Sequence, residues 1–292
     1  MAISDFYFIE KEHNMSLYRT GEILKDAQAK KYGVAFFDVV DLHMIRAYIT
    51  AAEEVNSPVI FGPAESLLTY STFEWLAPLM LQAARMAKVP VAIHMDHTYR
   101  YDVMLQAMRH GLCSVMFDGS SLPYEENVKK SAEFARIAHA MDVEVECELG
   151  HVSGLEGETG TEEENVYTDP VAAEDFVART KTDFLAVSIG TIHGVYKKTP
   201  KLNLPLLADL RGRLSQQLVL HGGSGLSDDD FRNVIAGGVS KINIYTDVIL
   251  AANKAIADNV SLRYEDVVQK AEQAMAEAAK AKMLLFGSAG RA

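Results

Sequence analysis

The sequence predicts an α/β fold of the (β/α)8 TIM-barrel class, with an extra N-terminal helix and C-terminal helices. Eight short apolar runs alternate with eight helical segments along the 292 residues, which is the pattern of parallel strands joined by helices. Eight repeats in this length fit a closed barrel, whereas a doubly wound sheet, the alternative, more often has five or six strands. No linker divides the chain, so we expect a single domain over residues 1–292.

The predicted strands are short runs rich in β-branched and aromatic residues, and three of them end at a polar residue, His97, Asp118 or His221. They cover residues 34–40, 58–62, 91–97, 113–118, 143–149, 184–189, 218–221 and 241–244. The fifth run alternates apolar and acidic residues, which gives the strand one polar face.

The predicted helices have apolar residues at helical spacing and recognisable end signals. They cover residues 41–54, 72–87, 101–110, 123–141, 170–179, 204–214, 228–236, 247–259 and 264–285. Pro123 falls in a first turn, where a missing N–H is tolerated, and Gly111 is a natural stop. A further helix over residues 17–31 precedes the first strand, and we expect it to close the bottom of the barrel.

Composition and charge narrow the class of protein. The chain is 49% hydrophobic, and no apolar run is long enough to span a membrane. The N-terminus lacks the features of a signal peptide, and Cys113 and Cys147 both lie in apolar runs, so we expect a cytoplasmic protein without a disulfide framework. The formal net charge of −12 argues against a nucleic acid or a membrane as partner.

One segment, residues 150–168, breaks the alternation of strands and helices. It reads GHVSGLEGETGTEEENVYT, and it is too long for an ordinary connection between a strand and a helix. A surface insertion would explain it. Because it leaves the carboxyl end of the fifth strand, where barrel active sites lie, we expect a mobile lid instead.

Polar residues that an apolar core would not favour collect at the carboxyl ends of the predicted strands. They are His94, Asp96, His97, Asp118, Glu146, Glu148, His193, His221, Asn243 and Thr246. In a barrel these ends meet at one rim. His97, His193 and His221, with Glu148 near, would form a nitrogen-rich site suited to a catalytic zinc ion.

Glycine-rich turns follow the last two strands and suggest a second function for the rim. Gly222, Gly223, Ser224 and Gly225 precede a helix, and residues 243–246 lie at the start of the next one. The loops after strands seven and eight of a barrel often bind phosphate through N–H groups and a helix dipole. Tight turn geometry would also explain the glycines.

Six segments carry a resemblance to a known family. HMDH, SVMFDGS, VECELGHVSG, LAVSIGTIHGVY, LVLHGGSG and KINIYT resemble, in order, the signature segments of the class II (zinc-dependent) ketose-bisphosphate aldolases. The resemblance runs from about Tyr32 to the closing GRA and is nearest to the shorter fructose/tagatose-bisphosphate aldolase branch.

The resemblance implies a lyase that reversibly cleaves a ketose bisphosphate to dihydroxyacetone phosphate and an aldehyde, through an ene-diolate stabilised by zinc. It makes His97, His193 and His221 the zinc ligands, with Glu148 as an auxiliary carboxylate. Asp96 matches the acid that protonates the aldehyde oxygen, and Glu156 matches the base that deprotonates dihydroxyacetone phosphate.

The family pattern also assigns the substrate-binding segments and the assembly. The phosphate and ketone are bound by Gly194, Gly222, Gly223, Ser224, Asn243, Ile244, Tyr245 and Thr246. The cofactor is Zn2+, with an additional monovalent cation as an option, and we expect a homodimer or homotetramer. The reaction needs no Schiff-base lysine, and we expect none at a matching strand end.

The chain departs from the family pattern near the first two strands. Two asparagines usual there are replaced by Asp38 and Asp41, and a serine that commonly contacts phosphate is replaced by Ala64. These changes leave the sugar uncertain, and an aldolase acting on a different ketose 1-phosphate is an alternative. A metal-dependent hydrolase and a non-catalytic barrel subunit are two others, although a non-catalytic subunit should have lost Asp96 or a zinc histidine, and this chain keeps them all.

Overall fold

Eight parallel strands close into a barrel in the order β1 to β8. The computed structural model describes residues 16–154, 166–194 and 200–292. The strands are β1 (Val34–Asp38), β2 (Val59–Gly62), β3 (Val91–Thr98), β4 (Ser114–Phe117), β5 (Glu144–Leu149), β6 (Phe184–Val187), β7 (Gln217–Leu220) and β8 (Val239–Ile244). Each strand pairs with its neighbour in sequence, and β1 pairs with β8, so the predicted (β/α)8 barrel is confirmed.

The helices alternate with the strands as the sequence predicts. Within the described residues they are α1 (Thr20–Lys30), α2 (Leu42–Val55), α3 (Phe73–Met86), α4 (Tyr101–Arg109), α5 (Tyr124–Ala140), α6 (Pro170–Thr180), α7 (Leu204–Arg213), α8 (Asp228–Ala236), α9 (Thr246–Asn259) and α10 (Tyr264–Leu285). A short 3-10 helix, Glu65–Thr69, follows β2 and was not predicted.

Side chains that cap backbone N–H groups define several helix starts. Asp41 accepts a hydrogen bond from the backbone N–H of Met44 at 2.9 Å, and Asp169 accepts one from that of Ala172 at 2.8 Å. Such a cap satisfies a donor that the first turn would otherwise leave unpaired. The caps therefore explain why α2 and α6 begin where they do.

Alternation along each strand divides the apolar side chains between two clusters. In β1, Phe37 points outward and stacks on Tyr48 of α2, with ring centroids 4.7 Å apart. Phe36 points into the barrel, where it belongs to a smaller inner cluster. Ile23 and Leu24 of α1 join this inner cluster, so α1 closes the amino-terminal end of the barrel as expected.

Above this inner cluster, the barrel interior becomes polar toward the carboxyl ends of the strands. The acidic face predicted for β5 points inward, since Val145 and Cys147 belong to the outer cluster and Glu146 and Glu148 alternate with them. None of the helices described here is both long enough and apolar enough to cross a lipid bilayer.

Candidate active site

An irregularity in β3 brings two consecutive side chains to the same rim. Neighbouring residues of a regular strand point to opposite faces, so Asp96 and His97 should diverge. The pairing of β3 with β4 shifts register between Met95 and Thr98, and His97 has a φ of 26°, outside the extended region. A local shift of this kind redirects a side chain, and His97 therefore lies on the inner side with Asp96.

The three predicted histidine ligands converge at the carboxyl end of the barrel. His97, His193 and His221 are buried, and each offers a ring nitrogen that lies within 4.8 Å of the other two. The His97 ring lies 4.5 Å from the His221 ring and 4.9 Å from the His193 ring, centroid to centroid, and all three rings are nearly perpendicular. Segments far apart in sequence, the end of β3 and the loops after β6 and β7, thus supply three nitrogen donors to one small volume.

Carboxylates hold two of these rings from behind. Nδ1 of His97 lies 3.0 Å from Oδ2 of Asp118, and Nε2 of His221 lies 2.8 Å from Oε1 of Glu146. An ionised carboxylate only accepts, so each of these ring nitrogens carries the proton. The opposite nitrogens, Nε2 of His97 and Nδ1 of His221, face each other at 2.8 Å and are the ones directed to the rim.

The protonation of the three rings follows from their surroundings. Burial lowers the pKa of His97, but the nearby carboxylates of Asp96 and Asp118 outweigh burial and raise it well above its usual value. Burial, followed by the charge of His97, lowers the pKa values of His193 and His221. The surroundings therefore favour the protonated form of His97 and the neutral forms of His193 and His221.

Glu148 lies beside the histidines as predicted. One of its carboxylate oxygens forms a cluster with His97 and Asp118 in which all ligand atoms lie within 4.8 Å of one another. Its Oε1 accepts a hydrogen bond from the backbone N–H of Val152 at 3.1 Å, while Oε2 is buried without a partner among the described residues. Burial, and then the charge of Asp118, raises the pKa of Glu148 well above its usual value.

Asp96 is held at the edge of the histidine cluster. Both of its carboxylate oxygens accept from Nδ2 of Asn243 at 3.0 Å, and Oδ2 lies 3.8 Å from Nε2 of His97. Ala64 forms a bridge with Asp96 between the extended backbones after β2 and in β3. Asp96 and Asn243, predicted for different functions, are thus direct neighbours.

His94 lies deeper in the barrel than the other histidines of the rim. Its Nδ1 is 2.8 Å from the hydroxyl of Ser114, which in turn is 2.6 Å from the hydroxyl of Thr20 on α1. Burial lowers the pKa of His94 well below its usual value. His94 therefore belongs to the barrel interior and not to the cluster of His97, His193 and His221.

Two residues of the site were not assigned from the sequence. The sequence indicates Glu146 only as a polar residue of a strand, and it assigns no function to Lys241. Lys241 is fully buried on β8, and its Nζ donates to Oε2 of Glu146 at 2.8 Å. Lys241 lies within β8 and not at its carboxyl end, and its alternation with Asn243 on a short apolar strand is the signal that could have located it.

The predicted phosphate-binding segments meet at the start of α9. Gly222 has a φ of 66°, and a Cβ atom there would lie 2.2 Å from the carbonyl oxygen of Ile192, so only glycine fits. The hydroxyl of Ser224 accepts from the backbone N–H groups of Tyr245 and Asp247 at 3.3 Å each. This contact ties the loop after β7 to the amino-terminal end of α9.

The remaining segment residues are placed as follows. Gly194 follows His193 with a φ of 84°. The backbone N–H of Gly223 donates to the carbonyl of Asn243 at 3.2 Å. The side chain of Ile244 points outward into the outer cluster, so only its backbone is available to a ligand, whereas Tyr245 and Thr246 are buried at the start of α9.

The two aspartates that depart from the family pattern occupy different environments. Asp38 is fully buried, and alternation with Phe36 places it on the inner face of β1. Asp41 is exposed and caps α2, so a local structural function explains this carboxylate.

Part of the predicted lid cannot be placed. Residues 155–165, including Glu156, lie outside the described residues. The two ends of the segment are joined, because His151 and Val166 form an antiparallel bridge. The hydroxyl of Ser120 lies 2.9 Å from Nδ1 of His151, and the backbone N–H of Ser120 donates to Asp118, so the first end is linked to the carboxylate behind His97.

Comparison with known proteins agrees with this geometry. The family model described as fructose-bisphosphate aldolase class-II matches residues 18–291. The chain belongs to the class II fructose-bisphosphate aldolase family. This confirms the resemblance found in the sequence and, because aldolases are lyases, the assignment to that class of enzyme.

Individual relatives match this aldolase over nearly their whole length. It is 39% identical over 270 residues to the uncharacterized protein YdjI of Escherichia coli (strain K12), covering 91% of this chain and 96% of YdjI. It is 35% identical over 300 residues to a fructose-bisphosphate aldolase of Thermus caldophilus, covering 93% of this chain and 98% of that enzyme. The crystal structure of the YdjI aldolase from Escherichia coli K12 superposes with a TM-score of 0.86 at 36% identity, covering 94% of this chain and 99% of that one.

Proposed function

We propose that this chain is a zinc-dependent aldolase that reversibly cleaves a phosphorylated ketose to dihydroxyacetone phosphate and an aldehyde. The observation that carries the proposal is the convergence of His97, His193 and His221 in a chain of the class II family. A non-catalytic subunit would not need this cluster with Asp96 still beside it, and both are retained.

The residues present fit a divalent metal ion. The nitrogens of His97 and His221 that face the rim have carboxylates behind their opposite nitrogens, which is the usual arrangement of histidine ligands. The buried Oε2 of Glu148 has no partner among the described residues, and a buried carboxylate oxygen requires one. Three imidazoles with one carboxylate are typical of zinc among the divalent metals.

A zinc ion held there would act as a Lewis acid that polarises the ketone of the substrate and stabilises the negative charge developing on it. Asp96 would move a proton at the aldehyde oxygen: it would accept the hydroxyl proton during cleavage and return it when the carbon–carbon bond forms. Asn243 holds this carboxylate through two contacts of 3.0 Å. By resemblance, Glu156 is the base that deprotonates dihydroxyacetone phosphate.

Two segments would bind the phosphate and the ketone. Gly222, Gly223 and Ser224 lie against the start of α9, where the helix dipole favours an anion. Gly194 and residues 243–246 complete the predicted set. A chain with a net charge of −12 needs such a local site to hold a phosphorylated sugar.

Asp38 bears on which sugar is cleaved. β1 pairs with β8 with Phe37 opposite Ile244, so Asp38 lies beside the chain that leads into the phosphate segment. An inward carboxylate there disfavours a dianionic phosphate and favours a substrate that offers a hydroxyl donor. We therefore propose a ketose 1-phosphate or bisphosphate other than fructose 1,6-bisphosphate as the preferred substrate.

The test is a coupled assay of dihydroxyacetone phosphate release over a panel of ketose phosphates. We expect release from at least one ketose phosphate, without release of inorganic phosphate. Phosphate release alone would indicate a hydrolase, and no reaction with any member of the panel would favour a non-catalytic subunit. The predicted homodimer or homotetramer and the cytoplasmic location stay predictions.

A further inference from the structure

A lysine is buried in the barrel beneath the histidine cluster. Lys241 of β8 has a fully buried side chain, and its Nζ lies 2.8 Å from Oε2 of Glu146, 3.8 Å from Oδ1 of Asp96 and 4.7 Å from the ring centroid of Phe36. Burying an ammonium group is costly unless it is paired. A lysine in this position therefore needs an explanation beyond packing.

Glu146 connects this lysine to the proposed metal site. Its Oε2 accepts from Nζ of Lys241, and its Oε1 accepts from Nε2 of His221, both at 2.8 Å. Both Glu146 and His221 are fully buried. Glu146 thus links Lys241 to the ring of His221, and the other nitrogen of that ring, Nδ1, faces the rim.

We propose that Lys241 is a positioning residue for the metal site and acts through Glu146. By binding Oε2, the ammonium group fixes the carboxylate with Oε1 toward His221. The carboxylate then holds the proton of His221 on Nε2 and leaves the lone pair of Nδ1 free to bind a metal ion. The inference rests on the proposed function, because it needs that ion.

The charges around Lys241 support this function. His94, Asp96 and Glu146 form a second group whose ligand atoms lie within 4.8 Å of one another, the composition of a cation site. The ammonium of Lys241 supplies the positive charge to the two carboxylates of this group. Removing it would leave Glu146 without the cation that it contacts, so Glu146 would lose the contact that orients it.

The first test measures zinc affinity by competition with a chromogenic chelator. The full chain is compared with K241M, E146Q and the double variant K241M/E146Q, and K254M serves as control because Lys254 is an exposed lysine paired with Asp258. We expect K241M and E146Q each to weaken zinc binding by about 10–100-fold, the usual effect of losing a partner behind a ligand. K254M should bind zinc as the wild type does.

The double variant decides whether Lys241 acts through Glu146. If it does, adding K241M to E146Q should change zinc affinity by no more than about twofold. The proposal would be overturned if K241M bound zinc as tightly as the wild type. It would also be overturned if K241M weakened zinc binding by the same factor in the E146Q background as in the wild-type background. The double variant removes the buried charges of both Lys241 and Glu146. The comparison of E146Q with the double variant therefore holds even if K241M alone fails to fold.

A second readout does not depend on zinc. In the metal-free protein, long-range 1H–15N correlation of the histidine rings should show His221 protonated on Nε2, and K241M should lose that preference while K254M keeps it. An unchanged His221 signal in K241M would contradict the inference. Failure of the wild type to bind zinc would overturn the proposed function, and this measurement would still show whether Lys241 positions His221.

Discussion

Nε2 of His97 lies 2.8 Å from Nδ1 of His221, and each of these rings has a carboxylate on its far side. The raised pKa of His97 and the lowered pKa of His221 assign the proton between the rings to His97. A divalent ion that binds both nitrogens must displace this proton. The geometry thus couples metal binding to deprotonation.

Metal binding should therefore release protons, and affinity should rise with pH. The raised pKa values of His97 and Glu148 both favour a protonated site, and a metal ion must displace those protons. In His97 nearby carboxylates outweigh burial and raise the pKa, whereas in Glu148 burial itself raises it. Calorimetric titration with zinc at neutral pH, in buffers of different ionisation enthalpy, should show about one proton or more released per ion. Proton uptake, or no release, would contradict this assignment.

Asp96→Asn should lower turnover by about two to four orders of magnitude, because a positioned acid–base group usually contributes that much. The amide keeps the size of the side chain and can still accept from Asn243. Circular dichroism and metal content should therefore match the wild type. Turnover close to that of the wild type would mean that another group moves the proton.

Glu156→Gln should slow exchange of the abstracted proton of dihydroxyacetone phosphate with solvent by at least about a hundredfold, the scale of general base catalysis. The exchange is followed by NMR in deuterated buffer, with metal content as control. Exchange at the wild-type rate would place the base elsewhere.

Asp38→Asn and Asp41→Asn form a matched pair. Asp38 is buried on the inner face of β1, whereas Asp41 is exposed and caps α2, and asparagine caps helices equally well. We expect only Asp38→Asn to raise kcat/KM for fructose 1,6-bisphosphate relative to other ketose phosphates. The ratio of kcat/KM values should change by about tenfold. The corresponding free energy is smaller than the ~4 kcal/mol between two charges 4 Å apart near a protein surface.

The substrate panel in both variants checks this prediction. If fructose 1,6-bisphosphate is already the best substrate of the wild type by a wide margin, and Asp38→Asn changes no ratio, the carboxylate does not set specificity. An effect of Asp41→Asn as large as that of Asp38→Asn would also contradict the account.

Local patterns made most of the fold predictable. The helices Asp228–Ala236 and Tyr264–Leu285 begin and end where their periodicity and end signals place them. The rim histidines could be grouped because the carboxyl ends of barrel strands always meet. The helix bounds depend on local sequence patterns, and the grouping of the histidines depends on a property of every barrel of this class.

Contacts between distant strands could not be predicted in this way. Lys241 lies on β8 and Glu146 on β5, and nothing near either residue in the sequence indicates its partner. The register shift that turns His97 inward arises from pairing with β4, so an alternating pattern would place this side chain on the wrong face. The pairing of Lys241 with Glu146 and the orientation of His97 both depend on the tertiary structure.

The central claim, that His97, His193 and His221 hold a metal ion required for aldol cleavage, is tested most directly by stripping and restoring the metal. Dihydroxyacetone phosphate release and zinc content are measured on the same samples of wild type, H221A and H139A. His139 pairs with Asp183 at the surface, away from the cluster, and serves as the matched control. We expect the wild type and H139A to lose activity with a chelator and to regain it with about one zinc per chain, and H221A to bind little zinc and remain inactive. Full activity after complete removal of the metal, or full zinc occupancy in H221A, would contradict the account.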